Sequence, residues 1–173
     1  MRRMTTCLLT CVIVFFAANA SAQQATEKPF MSVGGNLGLL IGPAFGGGLD
    51  FGFDANFFLT DRISIGPWMQ LGVASKSVIL LTTVNTRYYI DAFDGGPGKK
   101  LQPFLQGGLG LEYDKINGAK GDVDFLINLG AGLEYALNDN LYFGSDIMFN
   151  TIPTAPFGLF NITWQFAALR YRF

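Results

Sequence analysis

The side chains of this sequence that could do chemistry are mainly carboxylates and arginines, because the chain contains no histidine. Ser-His-Asp and Cys-His catalysis and histidine metal sites are therefore excluded. Asp50 and Asp54 could be proposed as an acid/base pair. Four residues along an extended strand place them about 13 Å apart, which is too far for two groups acting on one bond. The composition favours a protein that is not an enzyme.

Two further features could suggest a ligand site. Gly46-Gly47-Gly48 lacks the Lys-Ser/Thr and the helix that follow the glycines of a phosphate loop. A polar segment with three aspartates and two lysines could bind Ca²⁺ or the phosphates of lipopolysaccharide, although a solvated loop is the favoured interpretation: Asp114, Asp122, Asp124, Lys115 and Lys120.

Apolar and polar residues alternate along most of the chain. In the segment Phe45 to Phe58, Phe51 and Phe53 share one face, whereas Asp50 and Asp54 share the other. A period of two predicts a β-strand, and eight such segments follow one another: Met31–Leu40, Phe45–Phe58, Ile63–Ala74, Val78–Ile90, Phe104–Tyr113, Val123–Leu137, Leu141–Asn150 and Phe160–Phe173. We expect an irregularity at Pro67 and a bulge near Ala167-Ala168.

The amino-terminal segment, Met1 to Ala22, has the pattern of a secretory signal peptide. Arg2 and Arg3 precede an apolar run, and Ala20-Ser21-Ala22 forms a small-x-small cleavage site. Cleavage would remove both cysteines, Cys7 and Cys11, and leave a single domain over residues 23–173. Acidic residues would then outnumber basic ones, which argues against a nucleic-acid partner.

The composition suits a membrane barrel. Half of the residues are apolar, yet no run of 18 apolar residues follows the leader to form a transmembrane helix. A closed barrel crosses a bilayer because its strands satisfy one another's backbone groups. The alternative is a soluble, lipocalin-like barrel with the apolar face inward, but that face carries too many large aromatic residues to fit inside eight strands.

The last segment alternates up to the carboxyl terminus, with Leu169, Tyr171 and Phe173 on one face and Arg170 and Arg172 on the other. It resembles the C-terminal assembly signal of bacterial outer-membrane barrels, and residues 23–173 resemble the small eight-stranded barrels of the OmpA/OmpX/OmpW type. This resemblance implies an all-β, eight-stranded antiparallel up-and-down transmembrane barrel in the outer membrane, as a monomer. It also implies contact with outer-membrane lipid and lipopolysaccharide, recognition by the barrel-assembly machinery, and no cofactor.

Charged residues on the inward face are predicted to form an interior cluster, because buried charges must pair or be hydrated. Its members are Arg87, Glu134, Arg170, Arg172, Asp50, Asp54, Asp146 and Glu112. The first four fall near the periplasmic end and are expected to meet across the lumen. Inward glycines are expected to make room for Trp68, Tyr89 and Tyr142; they are Gly108, Gly110, Gly130 and Gly132.

Two functions remain open from the sequence. The first is a non-enzymatic outer-membrane barrel that contributes to envelope integrity or surface interaction. The second is a narrow channel or carrier for small or hydrophobic solutes, which the inward glycines keep open. The sequence does not identify a ligand.

Overall fold

A computed structural model describes residues 29–43, 46–75, 77–90, 101–116, 121–153 and 159–173. The expected signal peptide, Met1 to Ala22, lies outside the described residues, as do Phe45 and Lys120. The described part of the chain contains eight β-strands: β1 (Met31–Gly42), β2 (Gly46–Phe58), β3 (Ile63–Ala74), β4 (Ser77–Tyr89), β5 (Leu101–Ile116), β6 (Asp122–Ala136), β7 (Leu141–Ile152) and β8 (Leu159–Arg172). Within these ranges, no helix is long and apolar enough to cross a membrane.

The eight strands close into one barrel. Each strand pairs antiparallel with the next, and β8 pairs with β1. The closure continues past the strand ends, since the Phe173 amide donates to the Met31 carbonyl at 2.8 Å and the Phe30 amide donates to the Phe173 carbonyl at 3.0 Å. Every strand therefore has two partners, and the predicted eight-stranded antiparallel up-and-down barrel is confirmed.

Side chains alternate between a polar interior and an apolar exterior. On β6, Leu129 is 68% exposed, whereas the preceding Asn128 is 3% exposed. Aromatic side chains on the described strands, including Tyr88, Tyr135 and Phe149, also point outward. The lipocalin-like alternative is therefore wrong, because the large apolar side chains cover the outside of the barrel.

Most strand bounds agree with the prediction, but β5 is longer at both ends. The prediction placed its start at Phe104, whereas it begins at Leu101 and pairs Gln102 with Glu134 on β6. The register shift on β8 falls between Gln165 and Ala167, close to the predicted bulge. Next to Pro67, the β2–β3 ladder has no assigned pairs between Asp54↔Trp68 and Phe57↔Ile65, although its register is unchanged.

The inward glycines make room for side chains other than the predicted ones. A Cβ on Gly132 would collide with the Phe104 ring, and a Cβ on Gly130 would collide with the Met148 sulfur. The side chains nearest to Gly108 and Gly110 are Asn85 and Thr83. The nearest side chains at these four glycines are therefore not the expected Trp68, Tyr89 and Tyr142.

Candidate functional site in the barrel interior

Arg170 is the centre of the interior. Its guanidinium donates from Nε to Asp54 at 3.2 Å, from Nη1 to Glu134 at 3.1 Å and from Nη2 to Asp146 at 3.2 Å. These three carboxylates come from β2, β6 and β7, and all four side chains are buried. The planar guanidinium suits this arrangement because it presents its donors in several fixed directions.

Two glycines create the space for Arg170. Gly34 is its register partner on β1, and a Cβ there would lie 2.6 Å from Arg170 Cγ. A Cβ on Gly144 of β7 would lie 3.2 Å from Arg170 Nη1. Larger residues at these positions would push the arginine away from its carboxylates.

Arg87 and Arg172 extend this network. Arg87 Nη1 lies 3.2 Å from Asp54 Oδ2 and 4.0 Å from Glu134 Oε1, while its Nε donates to Gln106 at 2.8 Å. Arg172 Nη2 donates to the second oxygen of Glu134. The three arginines thus share the carboxylates Asp54, Glu134 and Asp146, and we call these six side chains the charge cluster.

Aromatic rings pack against the arginines. Arg172 lies over Tyr142 at 3.7 Å from the ring centroid, and over Tyr89 and Phe58 at 5.0 and 5.2 Å. Phe104 lies beneath Arg87 at 5.2 Å. Cation–π contacts of this kind gain strength where water is excluded. They close the barrel at the end that carries Met31 and Phe173, which we call the terminal end.

The structure separates Asp50 and Glu112 from the charge cluster, although the sequence placed both in it. Asp50 accepts hydrogen bonds from Gln70 at 3.1 Å and Gln165 at 3.3 Å. Glu112 accepts from Asn161 at 3.1 Å. That part of the prediction is wrong. The arginines lie near the terminal end of the barrel, whereas Asp50 and Glu112 lie further from that end along the lumen.

An apolar layer closes the far end of the barrel, opposite the terminal end. Its buried members come from β1, β4, β6 and β7: Leu40, Ile79, Leu81, Leu126 and Ile152. The alternation of apolar and polar residues did not predict this layer or the inward position of Phe104. Ile79 and Leu81 lie four and two residues before Thr83, which was expected to face inward. Alternation along β4 therefore places all three side chains on the inner face.

The residues of the expected assembly signal lie outside the lumen. Leu169 and Tyr171 are exposed, and the Tyr171 and Phe173 rings form an edge-to-face pair with centroids 4.9 Å apart. Within the described ranges, no group of three or more Asp, Glu, His or Cys side chains is arranged to hold a metal ion. The polar segment that could bind phosphates or Ca²⁺ lies partly outside the described residues.

No protein-family model and no curated protein matches this sequence. Solved structures of small barrels match most of the chain. Neisserial surface protein A aligns with a TM-score of 0.65 at 13% identity, covering 83% of this chain and 96% of its own. The N-terminal β-barrel domain of Pseudomonas aeruginosa OprF aligns with a TM-score of 0.61 at 20% identity, covering 82% and 97%.

A third structure has the same architecture. The outer membrane protein OprG from Pseudomonas aeruginosa aligns with a TM-score of 0.52 at 13% identity, covering 86% of this chain and 95% of that one. At such low identities the similarity shows the fold alone. The chain has the fold of the small eight-stranded outer-membrane β-barrels.

Proposed function

We propose that this protein is a closed-lumen barrel of the bacterial outer membrane that contributes to envelope integrity or surface interaction, without catalysis or general pore activity. The observation that carries this proposal is the filled interior. Side chains block the lumen at the terminal end through Arg172 and its aromatic neighbours, and at the far end through the apolar layer. An eight-stranded barrel has an interior that side chains can fill.

The apolar exterior supports a membrane location. Large hydrophobic side chains such as Phe53, Val84 and Leu129 point outward around the barrel, and an alternating apolar-out pattern is characteristic of membrane barrels. The fold shared with outer-membrane barrels agrees with this location. The terminal end would then face the periplasm.

Cell fractionation tests the membrane location. We expect the protein in the outer-membrane fraction, with a gel mobility that changes on heating because the closed barrel unfolds only when boiled. A matched soluble periplasmic protein serves as the control. Recovery of the protein in the periplasmic fraction without detergent would contradict the proposal.

The interior side chains support a non-enzymatic role. Asp54, Glu134 and Asp146 are engaged by arginines inside the barrel, where a substrate could reach them only by displacing buried side chains. A general acid or base must lie within hydrogen-bond reach of its substrate. The carboxylates of the charge cluster are better suited to holding the strands together.

A narrow channel or carrier is the second candidate. The polar middle of the lumen favours it, because several buried amides there have unpaired atoms, among them Asn36, Asn85 and Asn128. Such groups could line a path for water or a small solute. Single-channel recording separates the two candidates, since only an open path would pass ions.

A further inference from the structure

The middle of the lumen contains a carboxylate without a cationic partner. Asp50 is fully buried, and none of the described arginines or lysines lies within salt-bridge distance of it. Its Oδ2 accepts hydrogen bonds from the Gln70 and Gln165 amides, while Oδ1 has no partner. Amides are neutral, so they leave the negative charge of Asp50 uncompensated.

The adjacent strands do not supply a counter-charge. The register partners of Asp50 are Gly38 on β1 and Gly72 on β3. A Cβ on Gly38 would collide with the Trp164 backbone, and a Cβ on Gly72 would collide with Leu40. Backbone and an apolar side chain therefore border Asp50 on these two sides.

Two amide side chains beside the same carboxylate also have unpaired atoms. The Gln165 amide that donates to Asp50 leaves its own Oε1 without a partner. The Asn36 amide lies against Gly52, two residues from Asp50 on the inner face of β2, and both its Oδ1 and its Nδ2 are unpaired. A buried negative charge and buried polar atoms without partners are unfavourable.

The described interior has more carboxylates than arginines. Among the described residues, five buried carboxylates, Asp50, Asp54, Glu112, Glu134 and Asp146, face three buried arginines, Arg87, Arg170 and Arg172. All three arginines form ion pairs with the carboxylates of the charge cluster, Asp54, Glu134 and Asp146. Water could supply hydrogen-bond donors to Asp50, but it would not supply positive charge.

We propose that a monovalent cation, Na⁺ or K⁺, binds beside Asp50 inside the barrel. Its protein ligands are Asp50 Oδ1 and the amide oxygens of Gln165 and Asn36, with water completing the coordination. Carboxylate and amide oxygens are hard ligands that suit hard cations. A single positive charge matches the one carboxylate of this site, since Asp146 is already engaged by Arg170. This site goes beyond the proposed envelope function and does not depend on it.

The proposal has a measurable consequence because the cation would bind the folded barrel and not the unfolded chain. Above the dissociation constant, each tenfold rise in cation concentration should raise the folded-to-unfolded ratio about tenfold. The experiment folds the protein into neutral detergent micelles and follows urea unfolding at constant ionic strength. Na⁺ or K⁺ is compared with choline, which is too large for the site.

Asp50→Asn is the decisive variant, because it keeps the shape of the side chain and removes its charge. We expect it to fold and to unfold identically in Na⁺, K⁺ and choline. Glu112→Gln is the matched control, since Glu112 is another buried carboxylate with an amide partner. It should keep the cation dependence of the wild type.

A direct readout is anomalous diffraction from crystals grown with Rb⁺ or Tl⁺. A peak beside Asp50 Oδ1 that disappears in Asp50→Asn would support the site. Equal wild-type stability in all three cations with no anomalous peak would overturn it and would indicate that a proton neutralises Asp50. Dependence that persists in Asp50→Asn, or a response to Ca²⁺ or Mg²⁺ alone, would also overturn it.

Discussion

At the scale of single residues, Arg170 determines how the interior is organised. It joins Asp54, Glu134 and Asp146 from three strands. Removing one partner of a buried ion pair is costly because the remaining charge is left without compensation in a low-dielectric interior. The arginine and its carboxylates should therefore contribute to stability as a coupled group.

Glu134→Gln tests this coupling. The substitution keeps the side-chain volume but leaves Arg170 and Arg172 without one shared carboxylate. We expect a loss of about 3–5 kcal/mol in the free energy of unfolding, measured by urea unfolding in micelles. Glu112→Gln is the control, and it should cost clearly less because no arginine is paired with Glu112 among the described residues.

A double-mutant cycle isolates the interaction. Arg172→Met removes the cation that contacts Glu134 Oε2. We expect Glu134→Gln combined with Arg172→Met to cost less than the sum of the two single substitutions. Strict additivity, or a Glu134→Gln cost no larger than that of Glu112→Gln, would show that the charge cluster is not energetically coupled.

The sequence revealed part of this arrangement. Parity and strand direction place Glu134, Arg170 and Arg172 inward at one end of the barrel, and the structure brings them together. Alternation along a strand does not show that Asp54 and Asp146 lie at the same level along the barrel axis as Arg170, whereas Asp50 does not. Height in a tilted barrel depends on the stagger between all neighbouring strands, which no single segment encodes.

At the scale of the strand, alternation was a reliable guide. It gave the number of strands, their order along the chain and the facing of each one. It failed at the start of β5, where the prediction began the strand at Phe104 although Gln102 already pairs with Glu134. It also failed to predict the inward apolar residues of β4. We expected polar side chains inside the barrel and apolar ones outside, whereas Ile79 and Leu81 are apolar and face inward.

Leu129→Arg tests the facing of β6. Leu129 points outward near the middle of its strand, so an arginine there would meet hydrocarbon. We expect a loss of about 2–4 kcal/mol in folding into lipid bilayers. Leu129→Met is the control for the loss of shape, and Asn128→Asp places a charge on the inner face at the neighbouring position. Tolerance of Leu129→Arg equal to that of Leu129→Met would refute the membrane-facing surface.

Phe173→Ser tests the expected assembly signal on β8. The Phe173 backbone would still bond to Met31, so the purified variant should refold in detergent as the wild type does. In cells we expect less heat-modifiable barrel in the outer membrane, because the assembly machinery would recognise the strand less well. Arg62→Ser, a substitution outside the strands, serves as the control. Unchanged assembly in cells would contradict the signal.

At the scale of the whole molecule, the barrel is blocked at two levels that differ in chemistry. Charged and aromatic side chains block the terminal end, and aliphatic side chains block the far end. Between them lie buried amides and Asp50, several of which have unpaired atoms. A continuous path for ions would require both levels to open, which is why we expect a non-conducting barrel.

Single-channel recording in planar lipid bilayers is the most direct measurement of this closed lumen. The purified, heat-modifiable protein is inserted from detergent, and insertion is verified by recovering the folded protein from the membrane. A general porin reconstituted in parallel shows that the bilayer reports open pores. We expect inserted protein to give no discrete conductance steps. Reproducible steps that increase in number with the amount of inserted protein would contradict the closed lumen and would favour the narrow channel.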